Sequence, residues 1–206
     1  MISNRKCGIV LYWLLFSLLV FGGVATADQR VTADRVYDFE SAPGSDWTTQ
    51  STTLIGSNRV LGLFNDVNGR YSKGTHLALK ELPTGSQVTF SFDLYLIGTW
   101  DSGGKLADRF TVTTQDEKIV LELKEFPNAF ADEEQTQPVG NNGKVFVEGR
   151  ERAYWVVPQE FTLDPTDMGG KDVSLNFRGH LTGRKTEFWA MDNFKVRLKS
   201  ARSSNP

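Results

Sequence analysis

Apolar and polar residues alternate along much of the chain, most regularly over Gln87–Gly98. There Val88, Phe90, Phe92, Leu94 and Leu96 fall on one side, and Thr89, Ser91, Asp93 and Tyr95 on the other. A period of two in a stretch rich in aromatic and branched residues predicts a half-buried strand. The same pattern predicts strands over 35–40, 59–64, 76–82, 109–114, 119–126, 145–148, 154–157, 160–163, 173–178 and 187–198. Turn formers stand between them: Asn68-Gly69, Pro83-Thr84-Gly85, Ser102-Gly103-Gly104, Asn142-Gly143 and Gly169-Gly170. No segment long enough for an amphipathic helix carries the 3.6-residue period. Short strands separated by turns indicate an all-β sandwich or barrel, and without an internal repeat or linker the strands form one domain.

The N-terminus sets the expected compartment. Arg5 and Lys6 precede an apolar run over 8–20 that continues through Phe21-Gly22-Gly23-Val24 to Ala25-Thr26-Ala27. This order predicts a secretory signal peptide over 1–27, cleaved before Asp28; the alternative is an uncleaved anchor. A β-sandwich domain over 28–199 and a polar tail over 200–206 follow, in a secreted or periplasmic protein. The only cysteine, Cys7, lies in the signal, so the exported chain has no disulfide. A domain of this length can bury a sufficient core without one, and a bound ion could supply a staple.

Charge narrows the partners. The 23 basic and 25 acidic residues give a net charge of −2, and the basic ones are scattered, which is no footprint for nucleic acid. No second apolar stretch is long enough to span a membrane after signal cleavage.

Several residues could carry chemistry. In the last predicted strand Phe188, Ala190, Phe194, Val196 and Leu198 share one face with Asp192. A carboxylate among core-facing residues must be paired, hydrogen-bonded or metal-bound. A second acidic group, Trp100-Asp101-Ser102-Gly103-Gly104 with Asp108, is ordinary turn chemistry, or else an ion site. Trp100, Trp155 and Trp189 are either core residues or platforms for sugar rings. His76 and His180 lie far apart without metal-ligand spacing, and the parity of His76 places it in solvent. The polar connection over 127–144 carries Asp132-Glu133-Glu134 and is either a binding loop or an excursion. Glu122 and Glu125, three apart, point to opposite faces of a regular strand and cannot cooperate in glycoside hydrolysis.

The opening Asp38-Phe39-Glu40, followed by Trp47 and matched by the closing Met191-Asp192-Asn193, resembles extracellular MAM domains and the wider group of lectin-like and carbohydrate-binding jelly rolls. Val60-Leu61-Gly62-Leu63-Phe64-Asn65, Leu82-Pro83, the run into Trp100-Asp101 and Asp108-Arg109-Phe110 are similar to exported bacterial domains of the same lectin-like kind. The chain differs from MAM domains in lacking their cysteines. The resemblance implies a two-sheet antiparallel jelly-roll sandwich with its first and last strands adjacent. It also implies a structural calcium ion held by Glu40 and Asp192 with Asp38 assisting; the alternative is that Asp192 caps backbone amides or pairs with an arginine.

These observations predict an exported, non-catalytic binding module for polysaccharide or cell-surface glycan, with Trp100, Trp155 and Trp189 as candidate ligand contacts. The alternatives are an envelope domain that binds protein partners and a glycan-cleaving enzyme using carboxylates from separate strands, such as Asp93 and Glu122.

Overall fold

In the computed structural model the described residues are 34–65, 71–102, 107–126, 141–164, 168, 171–183 and 186–199. The predicted signal peptide, the C-terminal tail and residues 127–140 of the long connection lie outside them. The chain is all-β among the described residues, with eleven strands: β1 (Arg35–Tyr37), β2 (Thr52–Ile55), β3 (Asn58–Phe64), β4 (Gly74–Leu79), β5 (Gln87–Gly98), β6 (Arg109–Thr114), β7 (Ile119–Leu123), β8 (Asn141–Val147), β9 (Arg150–Leu163), β10 (Val173–His180) and β11 (Glu187–Lys199).

They form two antiparallel sheets in a jelly-roll sandwich. The larger runs β2-β3-β11-β5-β9-β8, with β1 also paired to β11; the smaller runs β4-β10-β6-β7. The first strand therefore lies against the last, Tyr37 opposite Phe194. The core between the sheets takes Val88, Phe90, Phe92, Leu94 and Leu96 from β5, Phe110 and Val112 from β6, and Leu175 and Phe177 from β10. Trp47 is wedged among Tyr37, Phe39, Phe177 and Phe194, its ring edge-on to that of Phe194 with centroids 4.9 Å apart. Edge-to-face pairs of this kind add to the area each ring buries.

β9 is one strand where the sequence predicts two. Pro158 sits inside it, opposite Asp93 of β5. The amide of Val156 points away from β5, donating to Asn142 Oδ1 at 2.7 Å. Alternate residues point the same way, so the donor Pro158 lacks would face away from β5, on the side of β9 past its last described pair with β8, Trp155 with Asn141, and the proline costs no bond to β5.

β11 departs from its predicted parity. Asp192 pairs with Asp93 and Lys195 with Ser91, so β11 takes three steps where β5 takes two. This is a β-bulge, with Asn193 in the left-handed region at φ 51°. Trp189 and Met191 before it and Phe194 and Val196 after it all enter the inter-sheet core. Phe188, Ala190 and Asp192 face the opposite side of the large sheet, so Asp192 does not share a face with Phe194, Val196 and Leu198.

That opposite side carries a second apolar cluster of Tyr95, Ile97, Phe188 and Ala190, closed by Ile55 and Val60 from one end of the sheet and Val145 and Val147 from the other. The ends approach each other across this face. The β2–β3 turn at Gly56 comes against the Tyr154 hydroxyl of β9, and the Tyr71 hydroxyl donates to Glu148 beyond β8 at 2.6 Å.

Candidate functional site

Three places collect polar chemistry. The first is the outer face of the small sheet. Register sets His76 beside Asn176 and Gly74 beside Arg178, then Asn176 beside Thr113, Arg178 beside Thr111 and His180 beside Arg109. The residues between them, Leu77, Phe110, Val112, Leu175 and Phe177, are buried in the core, so this polar row is the outward half of the alternation, with Thr111 itself covered by its neighbours. It forms a groove of about 550 Å³, within the roughly 300–1,000 Å³ of small-ligand sites.

The groove is held by its own bonds. His76 Nε2 lies 2.5 Å from Ser174 Oγ. Arg109 donates to His180 Nε2 at 3.5 Å, and Thr111 Oγ1 lies 3.1 Å from the same nitrogen. Arg109 also pairs with Glu122 at 3.4 Å, and Glu122 with Lys124 at 2.9 Å; these two cations, with Lys124 foremost, hold the Glu122 carboxyl below the usual range.

The second place joins the β5–β6 loop to the start of β11. Asp101, Asp108 and Glu187 each bring a carboxylate oxygen within 4.8 Å of the others. Asp108 and Glu187 are buried. Asp108 Oδ2 accepts the Asp101 amide at 2.7 Å and Oδ1 the Thr182 amide at 2.9 Å. Glu187 Oε1 accepts from Thr99 at 3.2 Å and Oε2 accepts the Gly183 amide. Burial, aided by the Asp108 charge, pushes the Glu187 carboxyl up to about 7, and burial likewise raises Asp108. These acids staple two loops together, and their all-oxygen set also suits a hard cation.

The third place lies around Asp192. It is buried, and Oδ1 accepts the Asn193 amide at 2.7 Å. Asn193 in turn donates to Asp93 Oδ2 at 2.8 Å. Burial, reinforced by the negative charges of Asp93, Glu40 and Asp38, pushes its carboxyl up to about 6. Among the described residues Glu40, Asp192 and Asp38 do not form a group of carboxylates whose oxygens all lie within 4.8 Å of one another, and the two opening acids have local partners: Asp38 Oδ1 accepts the Glu40 amide at 3.2 Å and Glu40 Oε1 the Arg59 amide at 2.9 Å.

The predicted tryptophan platforms are corrected by burial. Trp100 and Trp189 are 0 % exposed and Trp155 is 3 % exposed. Trp100 donates its indole N–H to the Phe188 carbonyl at 3.0 Å, and Trp189 stacks on Phe64 at 4.2 Å. No ring face is left for a sugar. The pairing of Asp93 with Glu122 for hydrolysis is also corrected, because they lie on the outer faces of different sheets with the core between them. Glu187, Asn176, Arg109 and Arg178 were not singled out by sequence. For Asn176, Arg109 and Arg178 the signal was only the polar half of the alternation, and Glu187, on the parity of the core-facing Trp189, gave none.

No family model and no curated protein matches the sequence. Among solved structures the chain is similar to the carbohydrate-binding module CBM27-1 of Caldicellulosiruptor saccharolyticus, solved with mannohexaose, at 18 % identity and a TM-score of 0.40, covering 82 % of this chain and 98 % of that one. It is also similar to the C-terminal CBM6 of LamC from Zobellia galactanivorans, at 11 % identity and a TM-score of 0.37, covering 80 % and 98 %. A cleaved adhesin domain of Lys-gingipain from Porphyromonas gingivalis is similar at 13 % identity and a TM-score of 0.44, covering 79 % and 98 %. The fold assignment rests on the chain's own two sheets.

Proposed function

We propose that this chain is an exported, non-catalytic module that binds a polysaccharide or cell-surface glycan in the groove on the outer face of the small sheet. The observation that carries the reading is the groove's lining of hydroxyl, amide, imidazole and guanidinium groups at about 550 Å³. Such groups pair with sugar hydroxyls, and the register of β4, β10 and β6 sets them in rows across the sheet. Among the described residues the large exposed hydrophobics, Val36, Leu54, Ile119 and Phe146, stand on four different strands.

Calcium belongs to the same reading. Asp192 is buried, and the charges that act on it most are three further carboxylates. A hard cation held by Asp192 and Glu40, with Asp38 assisting, would neutralise that repulsion and tie the opening segment to the closing strand.

Titration calorimetry against a panel of soluble polysaccharides tests the binding, with Asn176→Ala as the groove variant. The reading expects saturable heat with at least one polysaccharide and a clear loss of affinity in the variant. No heat with any polysaccharide from a folded protein contradicts it.

A further inference from the structure

One end of the groove narrows the class of glycan, on the premise that the groove binds glycan at all. Register lines up four outward side chains across the small sheet: His76 of β4 beside Asn176 of β10, Asn176 beside Thr113 of β6, and Thr113 beside Ile119 of β7. Three are polar and the fourth is not. Ile119 is 49 % exposed, and of the four large exposed hydrophobics among the described residues it alone lines the groove. A β-bulge puts it there. From Val112 to Thr113 β6 takes one step, while the partners on β7 move two, from Leu121 to Ile119. Val120, the extra residue, packs against the inter-sheet core. In a regular ladder Val120 would stand opposite Thr113, and Ile119 would take the core-facing parity. The bulge instead turns an isoleucine out to the groove and leaves it half in water.

The neighbours of Ile119 decide what its apolar surface can serve. Thr113 and Asn176 both line the groove, and among the described residues neither the hydroxyl nor the amide is taken by a protein partner. Adjacent strands lie about 4.8 Å apart, so a hydroxyl donor and an apolar contact stand side by side at that spacing. An acetyl group carries the matching pair, a carbonyl oxygen that accepts and a methyl on the same carbon. A bare methyl would use Ile119 and leave the hydroxyl idle. A carboxylate substituent would meet Glu117, which lines the groove two residues before Ile119.

We infer that the groove takes a glycan bearing an acetyl group, the Thr113 hydroxyl donating to the acetyl carbonyl and Ile119 packing on its methyl. Asn176, next along the row, takes a hydroxyl of the sugar that carries it. The test is calorimetric titration of the full chain with two matched pairs: O-acetylated glucomannan against the same polymer after alkaline deacetylation, and chitohexaose, with its N-acetyl groups, against cellohexaose. At least one acetylated member binds at least about fivefold tighter than its counterpart, and the pair that shows it tells ester from amide. Ile119→Ala and Thr113→Val each weaken binding of that member by about three- to tenfold, the range of one lost methyl contact or one hydrogen bond. Affinity for the unacetylated counterpart holds in both variants, and melting temperatures confirm that they fold. Equal affinity within both pairs, still weakened by Asn176→Ala, overturns the acetyl assignment and leaves the glycan reading in place. A preference that survives Ile119→Ala overturns it too, and one that Thr113→Val leaves untouched shows an alkyl contact alone and overturns the carbonyl match. Silence from all four chains overturns the acetyl assignment, and silence from the whole polysaccharide panel ends the glycan reading with it.

Discussion

The carboxylates of Asp108 and Glu187 come together in the interior although 79 residues separate them, the first accepting amides from both loops and the second an amide from one and a hydroxyl from the other. Neither can ionise without meeting the charge of the other, and burial raises the cost for both. The two groups make the native state hold protons that the unfolded chain releases.

The consequence for stability has a definite sign. Glu187 keeps its proton to about pH 7 in the native state but releases it near 4.5 when unfolded. Asp192 behaves likewise between 3.8 and about 6. Native protein binds more protons than unfolded protein in that window, so their contribution is fully present at low pH and is lost as pH rises toward 7. Glu187→Gln should remove its share, up to about 3 kcal/mol. Denaturant unfolding of both proteins at pH 5 and pH 8 reads this as a smaller loss of stability in the variant; equal losses contradict the assignment.

Calcium should reverse part of that loss by giving the acids a cation. An ion that binds only the native state contributes about 2.7 kcal/mol at a hundredfold excess over Kd, and each kcal/mol raises Tm by about 2–4 °C in a chain of this size. Melting in calcium and in chelator should therefore differ by several degrees. Asp192→Ala should abolish the difference and Asp101→Ala should preserve it, because Asp108 and Glu187 already have hydrogen-bond donors on both oxygens. The opposite pattern would put the ion at the β5–β6 loop, and no difference in protein purified with its ions retained would end the calcium reading.

The tryptophans give a sharper contrast. Trp47, Trp100, Trp155 and Trp189 are all buried. Acrylamide should quench their fluorescence weakly, and saturating ligand should neither shift the emission nor protect it. Replacement of Trp100 by Phe should leave glycan affinity unchanged while lowering stability, since it removes the bond to the Phe188 carbonyl. A loss of binding with stability intact would return Trp100 to the site.

How far the sequence carried varies by element. β5 and β6 were legible to the residue, because Val88, Phe90, Phe92, Leu94 and Leu96 and then Phe110 and Val112 alternate toward one core; that Tyr95 and Ile97 face a second cluster was not. β2 was missed: Thr52–Ile55 is short, and Leu54 points to solvent at 57 % exposure. β9 was split at Pro158, whose tolerance depends on which side of β9 faces β5, a tertiary fact. The face of Asp192 was misassigned because a bulge at Asn193 inverts parity in mid-strand, and Asn is common enough in strands and turns that it does not announce one. Glu187 gave no signal, since its acidic partners reach it only through the pairing of β11 with β5. The groove was half visible. His76 read correctly as outward-facing, but that Asn176 and Thr113 would lie beside it depends on the order β4-β10-β6, which alternation does not encode.

Location of the binding surface can be read directly by following backbone amide shifts in isotope-labelled protein as an oligosaccharide from the tightest-binding polysaccharide is added. Shifts should concentrate on Gly74–Leu79, Arg109–Thr114 and Val173–His180, with Asn176, Arg178 and His180 moving most. Shifts confined to the Trp100 loop or to the large sheet around Tyr95 and Asp192, with the small sheet unmoved, would contradict the account.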